Sequence, residues 1–373
     1  MFMPMPKLNL HILLPFAALG TFILAHTFHG AGWTIGLGCL MILPAVITAV
    51  HHADVVAHRV GEPYGALILA LAVTAIEVAL IISMMLQGDE GGAEHATLTR
   101  DAIFATIMIV ANGVIGLSLL LGGLRHHTQS FRVEGAAPAL AVLIALSVLT
   151  LVLPRFTTST PDATYTAAQL AFDAFVSLTL WSVFIFSQTV RHRADFLPVY
   201  APEPPAQSPQ KTEHDALYER PSTRAAMLSL ALLLVALIAV VGLAESLAPS
   251  VEQAVDHLGL PQAVIGIVIA LLVLLPETLT AIRAAINNRL QTSINLALGS
   301  GLASIGLTIP VVAITAVALG LPLELGLDSK GMVLLALTFI VATLTLVTGR
   351  STIMQGAVHL VIFAAFLFLS IVP

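Results

Sequence analysis

The sequence predicts an all-α, polytopic membrane protein with about eleven transmembrane helices. Three observations carry that prediction. The chain of 373 residues is 58% hydrophobic and only 10% charged, with a mean hydropathy of +0.97; soluble domains carry about 25% charged residues. Its apolar residues fall into eleven long runs between polar breaks, and its basic residues gather on alternate breaks. This composition excludes a soluble enzyme, a disordered chain and a nucleic-acid binder, which would need a basic surface. The single cysteine, Cys39, lies in an apolar run, leaving no disulfide framework and no Cys-based zinc site.

A spanning helix needs roughly 20 apolar residues to cross about 30 Å of hydrocarbon. The first run, 8–27, follows Met1–Lys7 without a small-residue cleavage site before the next run, so it reads as a retained helix and not a signal peptide. The second, 32–50, leads into His51, His52, Asp54 and His58. Their spacing lacks the pattern of a zinc hydrolase and reads as a polar helix end. Runs three and four, 64–86 and 101–124, flank an acidic loop with Asp89, Glu90 and Glu94. The fifth, 137–153, is short, and the sixth, 168–190, holds Asp173 near its outer end, where headgroup water is expected to reach it. Residues 191–224 include Pro198, Pro202, Pro204, Pro205, Pro209 and Pro221, a composition that reads as a cytoplasmic linker. Five more runs follow: 225–246, 261–287, 292–319, 331–348 and 352–372, with His359 expected to be a satisfied core residue in the last. Helices satisfy every backbone group in lipid, and the short alternating segments of a barrel are not seen.

Charge placement tests the count. Lys7, Arg59, Arg125, Arg132, Arg191, Arg193, Lys211, Arg220, Arg224, Arg283, Arg289 and Arg350 fall at the N-terminus or in even-numbered loops, against Arg100, Arg155 and Lys330 on the other side. Twelve against three places the N-terminus in the cytoplasm by the positive-inside rule.

The two halves share a weak internal repeat. Gly61-Glu62-Pro63 and Gly259-Leu260-Pro261 each open a span that leads to a glutamate, Glu77 and Glu277. The next spans contain Val114-Ile115-Gly116-Leu117-Ser118-Leu119 and Ser304-Ile305-Gly306-Leu307-Thr308-Ile309. The matched spans are third with eighth and fourth with ninth. An odd offset inverts the second copy, as in many secondary transporters. At 1.5 Å per residue the glutamates lie roughly 20 Å and 24 Å from opposite faces, both near mid-membrane.

A carboxylate there costs several kcal/mol unless paired, neutralised or hydrated, which marks a functional site. Two carboxylates, nearby hydroxyls and carbonyls freed by Pro276 make an oxygen-only site suited to Ca²⁺ or Na⁺. An empty site is expected to hold protons that a cation must displace. Asn112, Ser118, Ser300, Ser304 and Thr308 lie on the following spans and either complete a coordination shell or serve close helix packing. The small-residue run Gly299-Ser300-Gly301 favours close backbone approach.

Leu274-Leu275-Pro276-Glu277-Thr278-Leu279, Gln291-Thr292-Ser293 and Ala297-Leu298-Gly299-Ser300 resemble the second repeat of the cation/calcium exchanger superfamily. Gly61-Glu62-Pro63-Tyr64-Gly65, Ile76-Glu77-Val78 and residues 304–310 look most like bacterial ChaA-type calcium/proton and sodium/proton antiporters. The resemblance implies two inverted five-helix repeats preceded by one extra helix, with one essential glutamate per repeat, Glu77 and Glu277. Asn112 matches a family ligand position, whereas Ala303 stands where many relatives have Gln. Thr74-Ala75-Ile76 and Leu274-Leu275-Pro276 replace the usual Gly-Asn pair before each glutamate. The domain reading is an extra helix over 1–31, a first repeat over 32–190, the linker over 191–224 and a second repeat over 225–373.

The expected function is a proton-coupled cation antiporter, not an enzyme, working by alternating access. Ca²⁺/H⁺ exchange is the first reading, Na⁺ or K⁺ against H⁺ the second, and a cation channel the third. The cation and proton ligands are Glu77, Glu277, Asn112, Ser300, Ser304 and Thr308. No cofactor is expected beyond the transported ions. The partners are membrane lipid, cations and protons, with a homo-oligomer left open and no nucleic acid. The bacterial inner membrane is the expected location.

Overall fold

A computed structural model describes residues 10–28, 31–60, 64–87, 96–160, 163–197 and 221–372. One helix covers each apolar run. These are α1 (Leu10–Thr27), α2 (Gly32–Val60) and α3 (Tyr64–Gln87), then α4 (Leu98–His126), α5 (Val133–Phe156) and α6 (Ala167–Arg191). The second half comprises α7 (Thr223–His257), α8 (Ala263–Ile286), α9 (Leu290–Leu319), α10 (Ser329–Leu346) and α11 (Ile353–Ile371). Among the described residues nine are long and apolar enough to span a membrane, α8 is a tenth as a bent pair, and α3 has an apolar stretch over Leu71–Leu86. The protein is therefore an all-α polytopic membrane protein. Gly61–Pro63, the acidic loop with Asp89, Glu90 and Glu94, and the proline-rich part of the linker over 198–220 lie outside the described residues.

Several helices are irregular, each in a way its sequence explains or conceals. α8 bends by 54° between its segments Ala263–Leu275 and Glu277–Ile286. Proline at the intervening position removes a backbone donor and crowds the preceding turn. π-turns occupy Ile109–Val114 in α4, Val148–Val152 in α5 and Ser187–Arg191 in α6. Each inserts a residue and turns the following segment about the helix axis. α6 and α11 begin alike, with full capping boxes built from Thr166 with Gln169 and Thr352 with Gln355.

The chain forms two compact units. The smaller contains residues 1–72 and 220–251, which include α1, α2, the start of α3 and most of α7. There α1 packs along α2. Gly242 on α7 meets the Phe22 ring of α1 so closely that an added Cβ would stand 2.5 Å from it. His52 is buried, with Nε2 2.9 Å from the His11 carbonyl and Nδ1 3.3 Å from Ser229 Oγ. His51 stacks on His11 with ring centroids 4.0 Å apart. The histidine cluster thus ties together α1, α2 and α7; the side chain of His58 lies outside the described residues.

The larger unit contains residues 73–219 and 252–373. Its apolar core is continuous from Ile81 on α3 to Phe366 on α11, with α9 buried against α4, α5, α6 and α8. Its packing shows the repeat directly. α6 packs on α9 and α11 packs on α4, so each repeat's fifth helix lies on the other's third. The loops repeat the exchange. Ser130, between α4 and α5, bridges Arg350, between α10 and α11, while Thr164, between α5 and α6, bridges Glu324, between α9 and α10. Exchanging the repeats converts one pairing into the other. Both partners of each bridge also fall on loops of the same parity, as alternating spans require.

Candidate functional site

Glu77 stands midway along α3 and is 3% exposed; Glu277 follows the bend in α8 and is 5% exposed. Both lie in the larger unit, within electrostatic range of each other. Glu77 Oε1 accepts hydrogen bonds from Ser304 Oγ at 2.7 Å and Thr106 Oγ1 at 3.4 Å. Glu277 Oε2 accepts one from Ser300 Oγ. Ser300 and Ser304 are one turn apart on α9, a rise of about 6 Å, so one helix holds both carboxylates through adjacent turns. Among the described residues no basic side chain pairs with either acid.

The remaining sequence candidates divide. Thr308 is buried one further turn along α9, and its hydroxyl has no hydrogen-bond partner among the described residues. Asn112 has its hydrogen bonds to residues other than the glutamates. Its Nδ2 donates to Thr338 Oγ1 at 2.9 Å, and its Oδ1 pairs with His359 Nδ1 at 3.1 Å. The π-turn over Ile109–Val114, which contains Asn112, is the physical reason, because it changes the helical face on which this residue emerges. Ser118 likewise accepts from Ser293 Oγ at 2.8 Å and serves helix packing. His359 is satisfied, its Nε2 lying 3.1 Å from Thr345 Oγ1.

One residue of this site, Thr106, was not read from the sequence, and Asp173, elsewhere on α6, is more deeply buried than expected. Thr106 is one polar residue in the apolar first half of α4, and only its contact with Glu77 distinguishes it. Asp173 is not in contact with headgroup water: it is 3% exposed and accepts from Thr150 Oγ1 at 3.3 Å. The capping box at Thr166 starts α6 early enough to carry Asp173 well inside the protein.

The polar shell is lopsided. α9 supplies Ser300 and Ser304, whereas the wall of α4 facing Glu277 presents Val110 and Val114 around a cavity of about 10 Å³ that also touches Leu274 and Ala297. Such a volume holds about one water-sized body. Glu277 and Ser300 line this space, and Glu77 and Ser304 meet one helical turn along α9, so the ligands on offer are hard oxygens without a soft competitor. A serine that donates to a carboxylate also offers lone pairs to a cation once its O–H rotates away.

Comparison with known proteins gives a consistent picture. Residues 30–190 and 228–372 match the family described as sodium/calcium exchanger protein. The chain is 52% identical over 333 residues to the ionic transporter y4hA of Sinorhizobium fredii, covering 89% of this chain and 87% of the relative. It is 37% identical over 331 residues to the sodium-potassium/proton antiporter ChaA of Escherichia coli, with the same coverage, 89% and 87%. Among solved structures, the H⁺/Ca²⁺ exchanger CAX superposes with a TM-score of 0.71 over 96% of this chain and 87% of that one, at 15% identity.

Proposed function

This chain belongs to the sodium/calcium exchanger protein family, and on that premise we propose that it is a proton-coupled cation antiporter working through Glu77 and Glu277. The observation that carries this reading is the pair of buried carboxylates, one from each repeat, bonded to adjacent turns of α9 without a cationic partner among the described residues. Such acids stay buried at low cost when each holds a proton or when both share a cation. The two occupancies exclude each other, which is the requirement for obligatory exchange. A cation entering from the cytoplasm displaces the protons, the repeats rearrange, and the cation leaves on the far side as protons return.

The protein is assigned to the bacterial inner membrane, with the N-terminus in the cytoplasm as the basic residues require. Ca²⁺ is the first cargo, because two carboxylates match its charge and its preference for oxygen. Na⁺ or K⁺ is the second reading, favoured by the 37% identity to a sodium-potassium/proton antiporter. The test is cation-driven proton flux in proteoliposomes under an imposed pH gradient, with Ca²⁺, Na⁺ and K⁺ compared at equal concentration. Proton movement driven by at least one cation is expected. Cation flux that ignores the pH gradient would refute antiport.

A further inference from the structure

α6 carries a second buried polar system that the glutamate pair does not explain. Asp173, Ser177 and Trp181 are spaced four residues apart and share one face of the helix. Asp173 is 3% exposed and Ser177 fully buried. One oxygen of Asp173 is held by Thr150 on α5. Its other oxygen, Oδ2, the Ser177 hydroxyl and the Trp181 indole N–H are buried without a hydrogen-bond partner among the described residues. A buried polar group without a partner is costly, and three on one face of a membrane helix call for a shared polar occupant.

The row also leads somewhere. It begins near the loop between α5 and α6 and descends about 12 Å along the helix from Asp173 to Trp181. At that depth Trp181 lies against Gly306 on α9, where an added Cβ would stand 2.6 Å from the tryptophan Cβ. Gly306 is two residues from Ser304, the serine that holds Glu77. Among the described residues the titratable group facing Asp173 is Tyr165, whose hydroxyl donates to the Leu149 carbonyl at 2.6 Å at the outer end.

The repeat adds an independent argument. Asp173 and His359 each stand seven residues beyond the capping threonine of corresponding helices, α6 and α11. Each is buried, and each meets a threonine of the preceding helix, Thr150 or Thr345. The second repeat fills this position with a histidine satisfied on both ring nitrogens. The first repeat fills it with a carboxylate that keeps one oxygen free.

We propose that Asp173 is a proton-transfer site on the side of the α5–α6 loop, linked to the glutamate pair by water held along Ser177 and Trp181. A proton given up by hydronium at that surface, which becomes water, is passed inward past Tyr165 to the buried Asp173. Asp173 then returns the proton to a water bound at Ser177, and a Glu77 carboxylate vacated by the cation receives the proton at the end of the file. No electron moves, and each bond to hydrogen broken is matched by one formed.

This inference rests on the antiport reading, and its test separates the two. In proteoliposomes with the α5–α6 loop facing out, Asp173→Asn, Asp173→Glu and Ser177→Ala are compared with wild type in two assays: cation–proton exchange against external pH, and exchange of Ca²⁺ for labelled Ca²⁺. Asp173→Asn should slow cation–proton exchange about 10²-fold, the lower end of what a positioned proton-transfer group contributes. It should leave Ca²⁺ self-exchange within about twofold and flatten the dependence on external pH. Asp173→Glu should restore exchange, and Ser177→Ala should slow the proton-coupled mode alone. Equal loss of both modes, or loss of neither, would overturn the proposal. A wild type without proton-coupled flux would overturn the antiport reading itself.

Discussion

Glu77 and Glu277 are not equivalent in their surroundings, and the difference has measurable consequences. Glu77 has two hydroxyl donors, from Ser304 and Thr106, whereas Glu277 has Ser300 as its side-chain donor. Hydrogen bonds to charged groups contribute about 1.5–3 kcal/mol, so Ser300→Ala should weaken apparent cation affinity by about tenfold or more. Ser304→Ala should weaken it less, because Thr106 remains, and initial flux against cation concentration will rank the two. Glu77→Gln and Glu277→Gln should each abolish exchange while the protein still folds, since Gln keeps the volume without a releasable proton. Exchange at the wild-type rate in either variant would make that glutamate structural. The burial of both acids was legible in the sequence because each lies far inside an apolar run. Asn112 lies on the expected span, and its hydrogen bonds go to Thr338 and His359 and not to a glutamate. Its face depends on a π-turn whose residues, Ile109–Val114, look like ordinary helix.

At the scale of helices, packing depends on glycines that let α6 lie on α9 and α11 on α4. An added Cβ at Gly306 would stand 2.6 Å from Trp181 Cβ, and one at Gly356 would stand 2.5 Å from the Leu120 backbone nitrogen. Neither neighbour is the flexible end of a side chain. Gly306→Ala and Gly356→Ala should therefore each destabilise the protein by about 1–3 kcal/mol, the range for overpacking. Thermal unfolding in detergent will read this as a lowered midpoint. Unchanged midpoints would mean that these helix pairs separate at little cost. Helix existence was readable throughout because lipid leaves a chain few other ways to satisfy its backbone. The bend in α8 was readable from Pro276. The π-turns in α4, α5 and α6 were not, and neither were the loop bridges Ser130–Arg350 and Thr164–Glu324, which join residues distant in sequence.

For the whole molecule, the exchanged helix pairings and the two loop bridges agree with eleven alternating spans. Cysteines at Gln207 and Glu324 in a Cys39→Ser background should lie on opposite sides. Impermeant thiol reagent applied outside should label only the one at Glu324; labelling of both, or of the Gln207 site alone, would refute the topology. The central claim is that cation and protons compete for the same two carboxylates. It is tested most directly by the apparent affinity for the transported cation as pH is varied on the loading side, with the opposite side held constant. Raising the pH removes protons from the site, so affinity should improve by about tenfold per pH unit for each proton displaced. The gain should level off once both acids are ionised, while the rate at saturating cation changes less. An apparent affinity that stays constant across the pH range where flux changes would place cation and proton on separate groups and contradict the account.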